Sequence, residues 1–370
     1  MFYESKLRPS ALKYVRLLID IAGAGRDPWI MKSPRSFQSL AAAVCLGAGI
    51  TSSDAITMEL ANVGNADNTA DATGFGAVAY DYAIGRYEVT NSQYTSFLNA
   101  VAATDTYSLY STFMDSDARG GISQSGSSGS YKYSPKTNMG DKPVNYVSWF
   151  DAARFSNWMA NGQTTGEQVA ATTERGAYTL NGARDGIVLK TPGAAWYIPS
   201  QDEWYKAAYY SQSLNGGAGG YWDYPTQSNS EPTVATADVN GNISNPGSNV
   251  ANYDYGVDWN DQEGNVSTVG SAGTLSASFY GTSDQAGNVF EWNDAVIGSS
   301  RGLCGGSWNY SVYFLKSSLL TKNDPANEYY DVGFRVVSVP EPSTVGLMLM
   351  AGAAGMVWKR RKSSARSLSV

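Results

Sequence analysis

Histidine is absent from all 370 residues. That removes Ser-His-Asp and Cys-His catalysis, histidine-bound zinc and histidine-ligated iron together. Cysteine is nearly absent, with Cys45 and Cys304 alone. Charged residues are only 16% of the chain, which argues against long solvated helices. Any chemistry must therefore come from carboxylates, Tyr, Lys, Arg, Cys304 or an oxygen-ligated metal. What is abundant is glycine (39), tyrosine (25) and tryptophan (10), in a chain that is 42% hydrophobic. The mixture predicts a real core with much of the surface in loops and turns.

The two ends read as addresses rather than as fold. Met31 opens a segment with a basic start (Lys32, Arg35), an apolar stretch from Leu40 to Ile50 and a small-residue exit. Ser53 and Ala55 suit the −3 and −1 positions of a secretory signal cleaved after Ala55. Residues 1–30 then read as an upstream extension, 31–55 as the signal and 56–77 as a polar lead. Cleavage would remove Cys45 and leave Cys304 with no partner for an internal disulfide. At the other end, Pro340, Glu341 and Pro342 precede an apolar run from Val345 to Trp358 and then Lys359, Arg360, Arg361 and Lys362. The run is shorter than the roughly 20 residues of a stable span, and the basic cluster favours a cytoplasmic end. The order of the three parts resembles the PEP-CTERM sorting signal. The resemblance implies a Gram-negative-type bacterium, an exosortase-type processing enzyme and a tail, 339–370, whose helix anchors the protein transiently on its way to the surface or extracellular matrix.

Without its ends, residues 56–339 hold 14 Lys and Arg against 28 Asp and Glu, a net of −14. Such a surface repels phosphate backbones, so nucleic acid is not an expected partner. The alternation of "YAIGRYEV" (82–89) predicts a strand. Three helices follow from capping boxes ahead of apolar stripes: Thr90 with Gln93, Ser148 with Asp151, and Ser200 with Glu203. Gly/Ser-rich stretches lie between them. From Asn240 onward short β-like pieces alternate with turn signals, and nothing divides 78–338 into two domains.

Seven segments occur in order: "YEVTNSQYTSFLNAV", "PVNYVSWFDAARFSNWM", "WYIPSQDEWYKAAYY", "YPTQSN", "AGNVFEW", "CGGSW" and "VGFRVV". Together they resemble the formylglycine-generating enzyme, or sulfatase-modifying factor, family. The resemblance implies an α+β fold, a C-type-lectin-like variant with much irregular structure, about three capped helices and small twisted antiparallel sheets. Active members oxidise a cysteine of a target sulfatase using copper, oxygen and two cysteines, the third and eighth residues after a Gly-Gly-Ser motif. Those positions are Tyr310 and Leu315 here, and two thiolates, not one, make a linear copper(I) site. The family's iron branch needs histidines. Neither chemistry carries over, and copper is not expected. Cys304 precedes the motif. It reads as a small packed side chain, a reactive thiol or a metal ligand.

The resemblance also implies structural calcium. One set is the Asp284 and Glu291 carboxylates with the carbonyls of Gly287 and Val289. The other is the Asn252 and Asp261 side chains with the carbonyls of Tyr253 and Glu263. Calcium takes several oxygens from a tightly turned backbone, which Gly287 permits. Arg335 reads as a buried arginine that satisfies carboxylates or carbonyls. The expected function is a non-catalytic surface or matrix protein that binds exopolysaccharide or a protein partner. The alternative is an oxidoreductase with altered chemistry. Some of the Tyr and Trp would form its binding surface.

Overall fold

The computed structural model describes residues 55–339. Its helices begin where the side chains can satisfy free backbone N–H groups. Thr90 accepts from the Gln93 N–H, and Gln93 Oε1 accepts from the Thr90 N–H at 3.0 Å, which starts the Asn91–Val101 helix. Ser148 and Asp151 do the same for Trp149–Ala160, and Ser200 and Glu203 for Gln201–Tyr209. The first two helices bury Tyr94, Phe97, Phe155 and Trp158 against one another, with ring centroids 5.3–6.3 Å apart. Phe334 closes this cluster from the C-terminal end, 5.4 Å from Phe155. Each such side chain contributes about 2 kcal/mol when buried.

Two four-stranded sheets frame the helices. The first runs Leu60–Val63, Tyr82–Gly85, Val337–Ser338, Trp196–Tyr197, with every neighbour antiparallel. The second runs Thr321–Asn323, Ser300–Cys304, Phe290–Ile297, Val332–Gly333. Its last pair is parallel, as is a ribbon of Thr233–Val234 with Val250–Ala251. The sheets are therefore not wholly antiparallel, because chain ends from distant parts of the sequence meet side by side.

Two further expectations change. Residues 60–63 are not a polar lead but an edge strand, with Ala61 and Val63 buried and Leu60 and Asn62 outward. The strand expected over 82–89 stops at Gly85. The chain turns there, and Arg86 donates its N–H to Glu59. Among the described residues no helix is long and apolar enough to cross a membrane. The extension, the signal segment up to residue 54 and the tail beyond 339 lie outside the described residues.

Candidate functional site

The second sheet carries Glu291 and Cys304, and several of the other residues singled out above lie next to its strands in the chain. Glu291 lies in its Phe290–Ile297 strand, in register with Cys304 on one side and Gly333 on the other. Arg335, two residues past Gly333, is fully buried and grips Glu291 with two bonds, Nε to Oε2 at 2.5 Å and Nη2 to Oε1 at 2.6 Å. Trp204 Nε1 adds a third bond to Oε2 at 2.7 Å. The rest of the guanidinium donates to the carbonyls of Gly85, Arg86 and Ser283. Arg335 thus satisfies both a carboxylate and carbonyls, as its position in the closing strand suggested.

That arrangement bears on calcium. Both Glu291 oxygens are already engaged. Asp284 accepts the Gly270 N–H and is pushed up to about 6 by burial. Gly287 adopts φ 84°, and a Cβ there would lie 2.0 Å from the Asn252 carbonyl oxygen, so only glycine fits the turn. The turn is held by backbone bonds: Gly287 donates to Gly305, Asn288 to Asn252, and Trp308 to Asn288. Val289 is buried in the core beside it. In this first set both Glu291 oxygens already accept from Arg335. In the second set Asn252 is buried among Asn265, Ser267 and Asn288, with its Oδ1 unpartnered. Tyr253 is buried beside it and donates its hydroxyl to the Pro232 carbonyl. Asp261 lies on an exposed turn, and the Glu263 carbonyl accepts from Arg119. Among the described residues no group of three or more acidic or thiol side chains is placed to hold a metal ion.

One buried acid nearby escaped the sequence reading. Glu88 accepts from Asn288 through Oε1, while its Oε2 has no partner. Burial first, then the Asp284 charge, pushes its carboxyl well above its ordinary value.

Cys304 is 5% exposed and packs with Trp204, Tyr205, Ala208 and Tyr209. Its sulfur accepts from Gln201 at 3.3 Å and Asn293 at 3.2 Å. Burial pushes the thiol up to about 12, so it carries no thiolate near neutrality. Among the described residues it makes no disulfide.

The two positions that hold cysteines in active relatives differ in exposure. Leu315 ends a short 3-10 turn, fully buried, and its carbonyl accepts from Tyr209. Tyr310 is 37% exposed and stands over Phe290 and Phe314, with centroids at 5.1 and 4.6 Å. These three rings, with Tyr329 and Tyr330, line an open cleft of about 500 Å³. Asp331 sits at its edge, nearly buried and pushed up to about 6 by that burial. Ser307 has one hydroxyl proton and two acceptors in reach, Asn309 Oδ1 at 2.6 Å and Asp331 Oδ2 at 3.0 Å. The tyrosines of this cleft could not be picked from the sequence. They come from two segments about 20 residues apart that meet only through the sheet.

The sulfatase-modifying factor enzyme 1-like domain model matches residues 36–339, and the PEP-CTERM protein-sorting motif matches residues 338–362. The chain belongs to the sulfatase-modifying factor enzyme 1-like family, the family of the formylglycine-generating enzymes. Its C-terminal motif is that of exported, surface-directed proteins processed by exosortase-type enzymes. Similar solved structures include CarF, at 21% identity over 77% of this chain and 99% of that one, TM-score 0.44. Treponema denticola variable protein 1 matches at 16% over 76% and 95%, TM-score 0.44. PvdO from Pseudomonas aeruginosa matches at 16% over 76% and 92%, TM-score 0.38. No curated protein matches the chain.

Proposed function

We propose that this protein is a non-catalytic binding module of the cell surface or matrix, and that its ligand is an exopolysaccharide held in the aromatic cleft. The observation that carries the reading is the replacement of the thiol pair. Tyr310 and Leu315 stand where copper chemistry needs two thiolates, and Tyr310 joins Phe314, Tyr329 and Tyr330 in lining a cleft. Exposed aromatic faces bind the apolar faces of sugar rings, while their hydroxyls reach polar groups at the edge. The acidic chain favours a neutral polymer over an anionic one. An oxidoreductase would rest on Cys304, and a buried neutral thiol is a poor start for it.

The test is retention of the full chain on a panel of immobilised neutral polysaccharides. Retention that falls at least tenfold in Tyr310→Ala/Tyr329→Ala supports the reading. Equal retention of both proteins, or thiol-dependent oxygen consumption lost in Cys304→Ala, overturns it.

A further inference from the structure

The aromatic surface does not end at the rim of the cleft. Tyr330, which lines it, stands 5.6 Å from Trp308, and Trp308 meets Tyr255 edge-on with centroids 5.7 Å apart. Trp308 is buried, while Tyr330 and Tyr255 are 39% and 46% exposed. Two open rings thus flank a covered one, and Tyr255 lies outside the cleft itself.

The backbone under Tyr255 is strained. Tyr253–Gly256 is a turn closed by the Gly256 N–H on the Tyr253 carbonyl at 3.2 Å. Both central residues have positive φ, Asp254 at 52° and Tyr255 at 60°. Turns of that kind favour Asn-Gly or Asp-Gly at the two central places. Here the second place holds tyrosine, and a bulky residue stays in the left-handed region only where its surroundings enforce it. The enforcement is visible. Asp254 donates its N–H to the Tyr310 carbonyl at 2.9 Å, and Tyr255 donates to the Trp308 carbonyl at 2.8 Å. Gly264 makes room for both rings, since a Cβ there would lie 2.8 Å from Trp308 and from Tyr255. The turn is therefore tied to the segment that bears Tyr310, and it holds an aromatic ring where glycine is the relaxed choice. Packing does not account for that choice, because nearly half of Tyr255 faces solvent.

We propose that Tyr255 is an outer binding residue for the neutral polysaccharide of the cleft, so that the site takes several successive sugars of a chain rather than one ring. The inference rests on the binding reading above. Tyr255 and the cleft tyrosines stand on either side of an indole, so a ligand that touches both extends past a single sugar, and each exposed ring offers a face to one of its residues. The charges along this path are mixed. Against Lys322 and Arg119 stand Asp331, Asp117, Asp254, Asp258, Asp261 and Glu263. Arg119 is engaged by the Gly264 and Glu263 carbonyls and lies 4.7 Å over the Trp308 ring, and Asp258 accepts the Gly264 N–H. The surplus of acids opposes an acidic chain.

The experiment is affinity electrophoresis of the full chain in gels that contain dextran, laminarin, hydroxyethylcellulose or galactomannan, with alginate as an acidic and glycol chitosan as a basic comparison. Tyr255→Asn removes the ring and suits the left-handed backbone. The expected result is that the neutral polymer that retards the parent binds Tyr255→Asn about threefold to tenfold more weakly. The melting temperature should be equal or higher, because the strain is relieved. Tyr310→Ala/Tyr329→Ala should lose more of the retardation than Tyr255→Asn does. Undiminished retardation of Tyr255→Asn beside a weakened Tyr310→Ala/Tyr329→Ala removes the outer residue and leaves the cleft reading standing. A melting temperature lowered by more than about 2 °C in Tyr255→Asn makes the ring a packing residue and overturns the proposal. Retardation by no polymer, or by alginate or glycol chitosan alone, overturns the proposal and the cleft reading together.

Discussion

Two buried arginines of this fold differ in how completely they are satisfied. Around Arg335 every guanidinium nitrogen has an acceptor, and both Glu291 oxygens have donors. Around Arg154, whose partner is Glu174, one nitrogen is left over, and the carboxyl of Asp151, three residues before it, keeps an oxygen unused. The first region is closed to anything but its own residues. The second borders the segment 325–332, with a cavity on one side and the aromatic cleft on the other. Burial alone does not distinguish the two arginines, since both are fully buried. Completeness of hydrogen bonding does.

The largest effect should come from breaking the complete region. Arg335→Met strands the Glu291 charge in the core, at a cost of about 3–5 kcal/mol. In a domain of this size that lowers the melting temperature by roughly 5–8 °C. Adding Glu291→Leu should recover much of the loss, and calorimetry of both variants checks this. An Arg335→Met protein that melts like the parent would end the claim that this node is structural.

The open region should respond in the other direction. Asp331 holds its proton more tightly folded than unfolded, with a value raised from 3.8 to about 6. Its contribution to stability is therefore fullest below pH 4, falls as pH rises to about 6, and is flat above. Asp331→Asn removes that decline, a gain on the order of 1–2 kcal/mol at pH 7. Urea titrations at pH 4 and pH 7 measure it. A variant that loses stability at pH 7 would place Asp331 with the complete region instead.

Cys304 sharpens the contrast on a smaller scale. Cys304→Ala leaves the Gln201 and Asn293 amides without their sulfur acceptor and opens a small void, at about 1 kcal/mol. An aromatic disulfide reagent should label the native thiol no faster than global unfolding allows. The smallest expected effect is that of chelation. Because Arg335 already neutralises Glu291, EGTA should leave the melting temperature unchanged. A fall reversed by calcium would instead assign an ion to the unpartnered Asn252 oxygen.

How much of this was legible beforehand depended on sequence distance. The three capping boxes work within four residues, and each begins a helix where Thr90, Ser148 and Ser200 predict one. The edge strand 60–63 was hidden because its four residues alternate too briefly to stand out beside Gly, Asn and Asp. Parallel pairing of Phe290 with Val332 spans 42 positions, and no local pattern encodes it. Arg335 was legible as a buried arginine, but not as the partner of Glu291. The missing thiols at Tyr310 and Leu315 could be read directly. The cleft that replaces them needed the meeting of 310–314 with 329–332. Arg154 gave no signal, since an arginine among apolar helix residues reads as an outward side chain.

The strand Val337–Ser338 lies inside the first sheet, bonded to Tyr82–Gly85 on one side and Trp196–Tyr197 on the other. The sorting motif begins at residue 338. The last strand of the domain is thus the first link of the tether. A pull on the tail loads the middle of a sheet rather than a loose end, and two neighbouring strands share the force. Two short hydrogen-bonded pairings therefore set how hard the molecule can be tugged before it comes apart.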